Sequence, residues 1–168
     1  MRAARAFTLV EILIVVVLLG VLAAIVIPAV SKSGTTARES ALASDLSLLR
    51  RFVLIYKSQH LEVSPGYPNG DPGAAPTGAA FLAQATLSSD MSGRTAAVGT
   101  AGFNYGPYLS RIPVNPLNNL DTVQMVANGA AFPAVGDDSH GWTCKPQTGE
   151  IRADSTGTND QGTAYYDY

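Results

Sequence analysis

The chain opens with a long apolar run, residues 7–30, in which Thr8 and Glu11 are the only polar side chains. As an α-helix at about 1.5 Å per residue, this run would span about 36 Å, and the hydrocarbon core of a bilayer is about 30 Å thick. The pattern therefore predicts a membrane-spanning helix.

Residues 1–6 precede this run and carry Arg2 and Arg5. Positive charge holds the adjoining end of a membrane helix in the cytoplasm, so we expect the rest of the chain to lie outside it. A secretory signal peptide is the alternative, because Leu22, Ala23 and Ala24 form a weak cleavage sequence. The apolar run continues beyond them, which favours an anchor.

Residues 31–63 show a second pattern, in which apolar positions recur at steps of three and four. This spacing predicts an amphipathic helix with one buried stripe. The stripe consists of Leu42, Leu46, Leu49, Val53, Tyr56 and His60. Together the two patterns predict a helix from about Phe7 to Leu61, either continuous or interrupted near Gly34.

Residues 64–168 hold most of the prolines and glycines and are expected to form a separate head. Thr77 is placed to cap a short helix over residues 78–87, with Phe81, Leu82 and Ala85 on one face. Segments 122–127, 141–145 and 150–153 predict two or three antiparallel strands packed on the amphipathic helix. The fold class is therefore α+β, and the polar tail after Ala153 is expected to be loose.

Composition narrows the possible functions. Charged residues make up 14% of the chain and the formal net charge is -2, which argues against a nucleic-acid partner. Cys144 is the single cysteine, so no disulfide can form within the chain, and a buried side chain on a strand is expected.

The two histidines do not suggest an enzyme. His60 lies on the packing stripe, and His140 follows Ser139 in one turn that cannot supply the geometry of a catalytic triad. The sequence also lacks a nucleophile elbow, a phosphate-binding glycine loop and a zinc motif. We expect no catalysis.

Glu11 is the most informative residue. A carboxylate in a membrane span costs about 3 kcal/mol on insertion scales, so it needs a partner. Ile14 and Val15 occupy the positions three and four residues later, where a cation of the same helix would lie. We therefore expect the partner to come from another chain.

The segment AFTLVEIL, residues 6–13, closely resembles the prepilin-type cleavage and methylation motif of type IV pilins and pseudopilins. The resemblance implies a leader, residues 1–6, cut between Ala6 and Phe7, followed by N-methylation of Phe7. It also implies that Glu11 meets the new amine of a neighbouring subunit during assembly. The family usually has glycine where this chain has Ala6.

The resemblance extends to other positions. Gly20 and Pro28 lie where pilins commonly carry helix-weakening residues, which would let the helix kink or unwind in a filament. The segment PYLSRIPVNP, residues 107–116, resembles the loop before the sheet in pseudopilins. This likeness favours a pseudopilin, similar to the major type, over a surface pilin.

The implied protein is a structural subunit of a type II secretion pseudopilus with a type IV pilin fold. Its expected partners are copies of itself in a helical filament, other pseudopilins, prepilin peptidase, an inner-membrane assembly platform and membrane lipid. It would cross the bacterial inner membrane once, with a periplasmic head, before polymerising to drive export of folded proteins. A type IV pilus subunit and a signal-anchored periplasmic binding domain are the alternatives.

Calcium is the cofactor that the resemblance suggests. Major pseudopilins bind it in C-terminal loops, and Asn115, Asn118 and Asp121 form an oxygen-rich group here, beside Asn119. Asparagine in turns also serves backbone geometry, which is the competing interpretation. A second group contains Asp154, Asn159 and Asp160.

Overall fold

The computed structural model describes residues 8–168, apart from the side chains of residues 28, 29, 31 and 32. The chain divides into two units at Arg38 and Glu39, and each is described by itself. Helix α1 (Leu9–Gln59) supplies residues to both.

In the first unit, α1 begins directly after Thr8. Its first 19 residues, Leu9–Ile27, are long and apolar enough to cross a membrane, and their side chains are exposed. The backbone stays α-helical through Gly20, Pro28 and Gly34, so of the two alternatives the structure has the continuous helix. A glycine within a helix costs only about 1 kcal/mol, which the rest of a long helix can offset.

In the second unit the predicted stripe is buried, with five members on α1 and His60 directly after its end. Its six members are at most 3% exposed, namely Leu42, Leu46, Leu49, Val53, Tyr56 and His60. The helix ends at Gln59, two residues before the expected end, because Leu61 and Glu62 adopt left-handed backbone with φ of 55° and 63°. Such angles end an α-helix.

Helix α2 (Gly78–Thr86) confirms the prediction of a short capped helix. The Thr77 hydroxyl accepts a hydrogen bond from the Ala80 N–H at 3.1 Å, which satisfies one free donor of the first turn. Phe81 is fully buried, whereas its neighbour Leu82 is 48% exposed. The helix thus packs on the core mainly through Phe81.

Within residues 8–168, five short strands form two sheets. They are β1 (Ser88–Ser89), β2 (Thr95–Ala96), β3 (Val123–Met125), β4 (Trp142–Lys145) and β5 (Glu150–Ala153). Strands β1 and β2 form an antiparallel hairpin in a region that the sequence left unassigned. The second sheet has the order β3–β4–β5.

The structure confirms the α+β class, but the prediction that all strands of the sheet are antiparallel is wrong. Strands β4 and β5 pair antiparallel as a hairpin, whereas β3 pairs with β4 in parallel. The long connection over residues 126–141 makes this possible, since parallel neighbours need a crossover of about a dozen residues or more. The sheet is therefore mixed.

One hydrophobic core joins both helices of this unit to β4 and β5. Trp142, Cys144, Ile151 and Ala153 are buried in it. The Trp142 indole N–H donates to the Pro113 carbonyl at 2.9 Å, which anchors the loop before the sheet. Burial raises the pKa of the Cys144 thiol to about 12, as befits a packed and unreactive side chain.

The tail is not loose, contrary to the sequence-based expectation. Tyr165 and Tyr166 are 8% and 3% exposed. The Tyr165 hydroxyl donates to Glu39 Oε1 at 2.9 Å, and Arg50 donates to the Tyr168 carbonyl at 2.7 Å. The aromatic residues of the tail therefore fasten it to α1.

Candidate assembly site

Thr8 and Glu11 form a reciprocal pair at the start of α1. The backbone N–H and the hydroxyl of Thr8 donate to Glu11 Oε2 at 2.8 Å and 2.9 Å. The Glu11 N–H in turn donates to Thr8 Oγ1 at 3.2 Å. This arrangement is a capping box, which satisfies backbone donors that a helix start otherwise leaves free.

The pair corrects the expectation that Glu11 lacks a partner in its own chain. Thr8 supplies two hydrogen bonds, and the Thr-x-x-Glu spacing is the sequence signal that could have indicated them. Both donors are neutral, however. Within the described residues no basic side chain pairs with Glu11, so its charge is not balanced there.

The other predicted assembly residues are only partly described. Ala6 and Phe7 lie outside the described residues, so cleavage and methylation stay predictions. Pro28 lies within α1, and its side chain is not described. A Cβ added at Gly20 would meet nothing within 4 Å, so packing against the described residues does not require glycine there.

The surface around Glu11 is apolar on every side of the helix. Large aliphatic side chains from Leu9 to Ile27 are each more than half exposed. A continuous apolar surface of this extent needs lipid or other helices to cover it. Glu11 therefore lies on a surface suited to a bilayer or to a bundle of similar helices.

His60 is a structural residue. Its ring stacks on Tyr56 with centroids 3.8 Å apart. Nδ1 lies 2.8 Å from the Tyr56 carbonyl oxygen and Nε2 lies 2.9 Å from Ser89 Oγ. Because a carbonyl only accepts, Nδ1 carries the proton and Nε2 accepts from the serine. Burial lowers the pKa of His60, and the Tyr56 carbonyl and the charge of Asp90 offset part of that effect.

The head should lose stability in mild acid because of His60. Because the pKa of His60 is lower in the folded head, the unfolded chain binds the proton more readily. The contribution of neutral His60 to the stability of the head is therefore complete above about pH 6.5, and it is lost as the pH falls from there through the lowered folded-state pKa. Urea unfolding between pH 7.5 and 5 measures the loss. His60→Gln should flatten this dependence, and an unchanged slope in that variant would contradict the assignment.

Asp154, directly after β5, contacts the turn that contains Ser139 and His140. The three residues do not form a catalytic relay. Ser139 Oγ lies 2.8 Å from His140 Nδ1 and also donates to Asp154 Oδ2 at 3.3 Å. In a relay the carboxylate would orient one imidazole nitrogen while the serine bonds to the other. Here serine and carboxylate share one side of the ring, which fits a structural turn.

The three residues predicted to bind calcium have different surroundings. Asn115 is fully buried and Asn118 is half-buried, and both bond to backbone groups of neighbouring loops. Asp121 is exposed and lines a cleft of about 410 Å³ with Arg111 and His140. Calcium binding stays a prediction at this point.

The comparisons with known proteins agree with the geometry at the start of α1. Residues 1–27 match the family model of the prokaryotic N-terminal methylation motif. The type II secretion system core protein G of Aeromonas hydrophila is 26% identical over 156 residues, covering 86% of this chain and 96% of that protein. No solved structure gives a significant match. The chain therefore carries a prokaryotic N-terminal methylation motif and is similar over most of its length to a type II secretion system core protein G.

Proposed function

We propose that this chain is a structural subunit of a type II secretion pseudopilus. Prepilin peptidase removes residues 1–6, Phe7 is N-methylated, and the mature subunit polymerises to drive export of folded proteins. Residues 7–30 anchor it in the inner membrane and then form the filament core. Residues 31–63 carry the periplasmic head, residues 64–168.

The observation that supports this proposal best is that no described cation lies beside the Glu11 carboxylate. The carboxylate accepts two hydrogen bonds from Thr8, yet no described cation balances it on a wholly apolar surface. A neighbour's Phe7 amine would supply the missing positive charge. Opposite charges in an apolar bundle offset part of each other's desolvation cost, so each subunit gains from recruiting the next.

The similarity to core protein G favours the pseudopilus over a surface pilus, because the match covers the head as well as the anchor. Gly20 and Pro28 would then let the helix adjust as it leaves the bilayer. The open space around Gly20 is consistent with close approach of another helix. We assign no catalytic role to the chain.

The mature N-terminus tests the processing step. In cells with an active prepilin peptidase, the intact mass of the membrane-extracted protein should show a chain that starts at Phe7 with one added methyl group. Ala6→Gly should be processed at least as completely, whereas a bulky Ala6→Leu should retain Met1. A wild-type protein that keeps Met1 in these cells would overturn the proposal.

A further inference from the structure

The asparagines of the predicted calcium group present hydrogen-bond donors to the oxygens that the ion would need. Asn115 donates through Nδ2 to the Gly141 carbonyl and to Ser155 Oγ, both at 2.8 Å. Its Oδ1 already accepts from the Leu117 N–H at 2.9 Å. Asn115 therefore acts as a structural link between loops.

Asn118 behaves in the same way. Its Nδ2 donates to the carbonyls of His140 and Asp154 at 2.7 Å and 2.8 Å, and its Oδ1 accepts from the Leu120 N–H at 3.1 Å. Calcium takes six to eight oxygen ligands. A group whose amide donors occupy the nearby carbonyls does not fit that requirement.

The second acidic group is also satisfied by donors of this chain. Asp154 is 2% exposed, and its carboxylate accepts from the N–H groups of Asp137 and His140, both at 2.9 Å. Asn159 Oδ1 accepts from the N–H groups of Gln161 and Thr163. N–H groups of the chain therefore donate hydrogen bonds to the oxygens that a cation would otherwise bind.

Arg152 on β5 holds the C-terminal loops together. Its guanidinium pairs with Glu150 Oε1 at 2.7 Å and with Asp167 Oδ1 at 3.5 Å. Its carbon also lies 4.8 Å from the Phe132 ring centroid and 5.2 Å from that of Tyr166. These four contacts join β5, the long connection after β3, and the C-terminal turn Tyr165–Asp167.

We propose that the head folds and keeps its stability without calcium, and that these four contacts, the Arg152 clamp, join its C-terminal loops instead. A planar guanidinium can bond to carboxylates at its edge and stack on aromatic rings at its faces, which suits it to this position. The clamp gives these loops a cation that is part of the chain. This inference concerns the head alone and does not depend on filament assembly.

Thermal unfolding of the full chain in detergent tests the clamp. Trp142, the only tryptophan and fully buried, reports on the head through its fluorescence. Arg152→Gln should lower Tm by about 5 °C. The matched control is Arg94→Gln. It breaks a local pair, four residues apart, between a 65% exposed arginine and Asp90, and should lower Tm by less than about 2 °C.

Calcium addition tests the other half of the proposal. Wild-type Tm should be the same within about 1 °C in EDTA and in millimolar CaCl2, whereas bound calcium would raise it by several degrees. Should Arg152→Gln fail to fold, Phe132→Leu removes one stacking face and should still lower Tm. A calcium-dependent rise of several degrees, or an Arg152→Gln loss no larger than that of Arg94→Gln, would overturn the inference.

Discussion

Replacing Glu11 by glutamine is expected to abolish filament assembly while leaving the chain in the membrane. Glutamine keeps the size of the side chain and can still accept from Thr8, but it cannot balance a neighbour's amine. Leaving one partner of a buried pair unpaired costs about 3–5 kcal/mol, which lowers each association constant by a factor on the order of 10²–10³. Filament yield by electron microscopy and the membrane-bound fraction measure the two effects.

Glu62→Gln is the matched control for this experiment. It removes the same charge from an exposed position just after α1, so assembly should proceed as in the wild type. Filaments from Glu11→Gln at the wild-type level would contradict the charge-pairing account. Loss of the variant from the membrane would also contradict it, because glutamine is easier to insert than glutamate.

Truncating Phe81 is expected to destabilise the head more than other single changes on α2. Phe81 is fully buried, and its ring lies 5.3 Å from that of Phe52 in an edge-to-face arrangement. Phe81→Ala should therefore cost about 3–5 kcal/mol, a large share of the stability of an ordinary domain. Urea unfolding followed by Trp142 fluorescence measures the loss.

Leu82→Ala provides the comparison one residue further along the same helix. Leu82 is 48% exposed, so its truncation should cost less than about 1 kcal/mol. The sequence placed Phe81 and Leu82 on the same buried face, whereas the structure separates them. Equal losses for the two variants would favour the sequence-based placement over the structural one.

Local patterns predicted the helices well because their signals lie within a few residues of each other. The stripe from Leu42 to His60 repeats with the helical period, and Thr77 caps α2 from the position expected of an N-cap. The same logic made the Thr8–Glu11 capping box readable in the sequence. The charge of Glu11 within an apolar run instead points to a partner in another chain, which hides the local signal.

Features that depend on distant residues were not predictable in this way. The direction of β3 follows from how the connection over residues 126–141 returns to the sheet, and no local pattern encodes that path. The fastening of the tail likewise joins Tyr165 to Glu39 across most of the chain. Arg152 gathers Phe132, Tyr166 and Asp167, whose spacing along the sequence suggests no common site.

The pairing of Glu11 with a sister subunit is the central claim, and mixed-label solid-state NMR tests it most directly. Filaments would be grown from equal amounts of subunits carrying ¹⁵N-phenylalanine and subunits carrying ¹³C-glutamate, so that a coupling between the labels arises only across subunits. We expect the methylated Phe7 amine to couple to the Glu11 carboxyl carbon, at a separation of about 4 Å or less. Intact filaments in which that amine shows no coupling to a carboxyl carbon of another subunit would contradict the account.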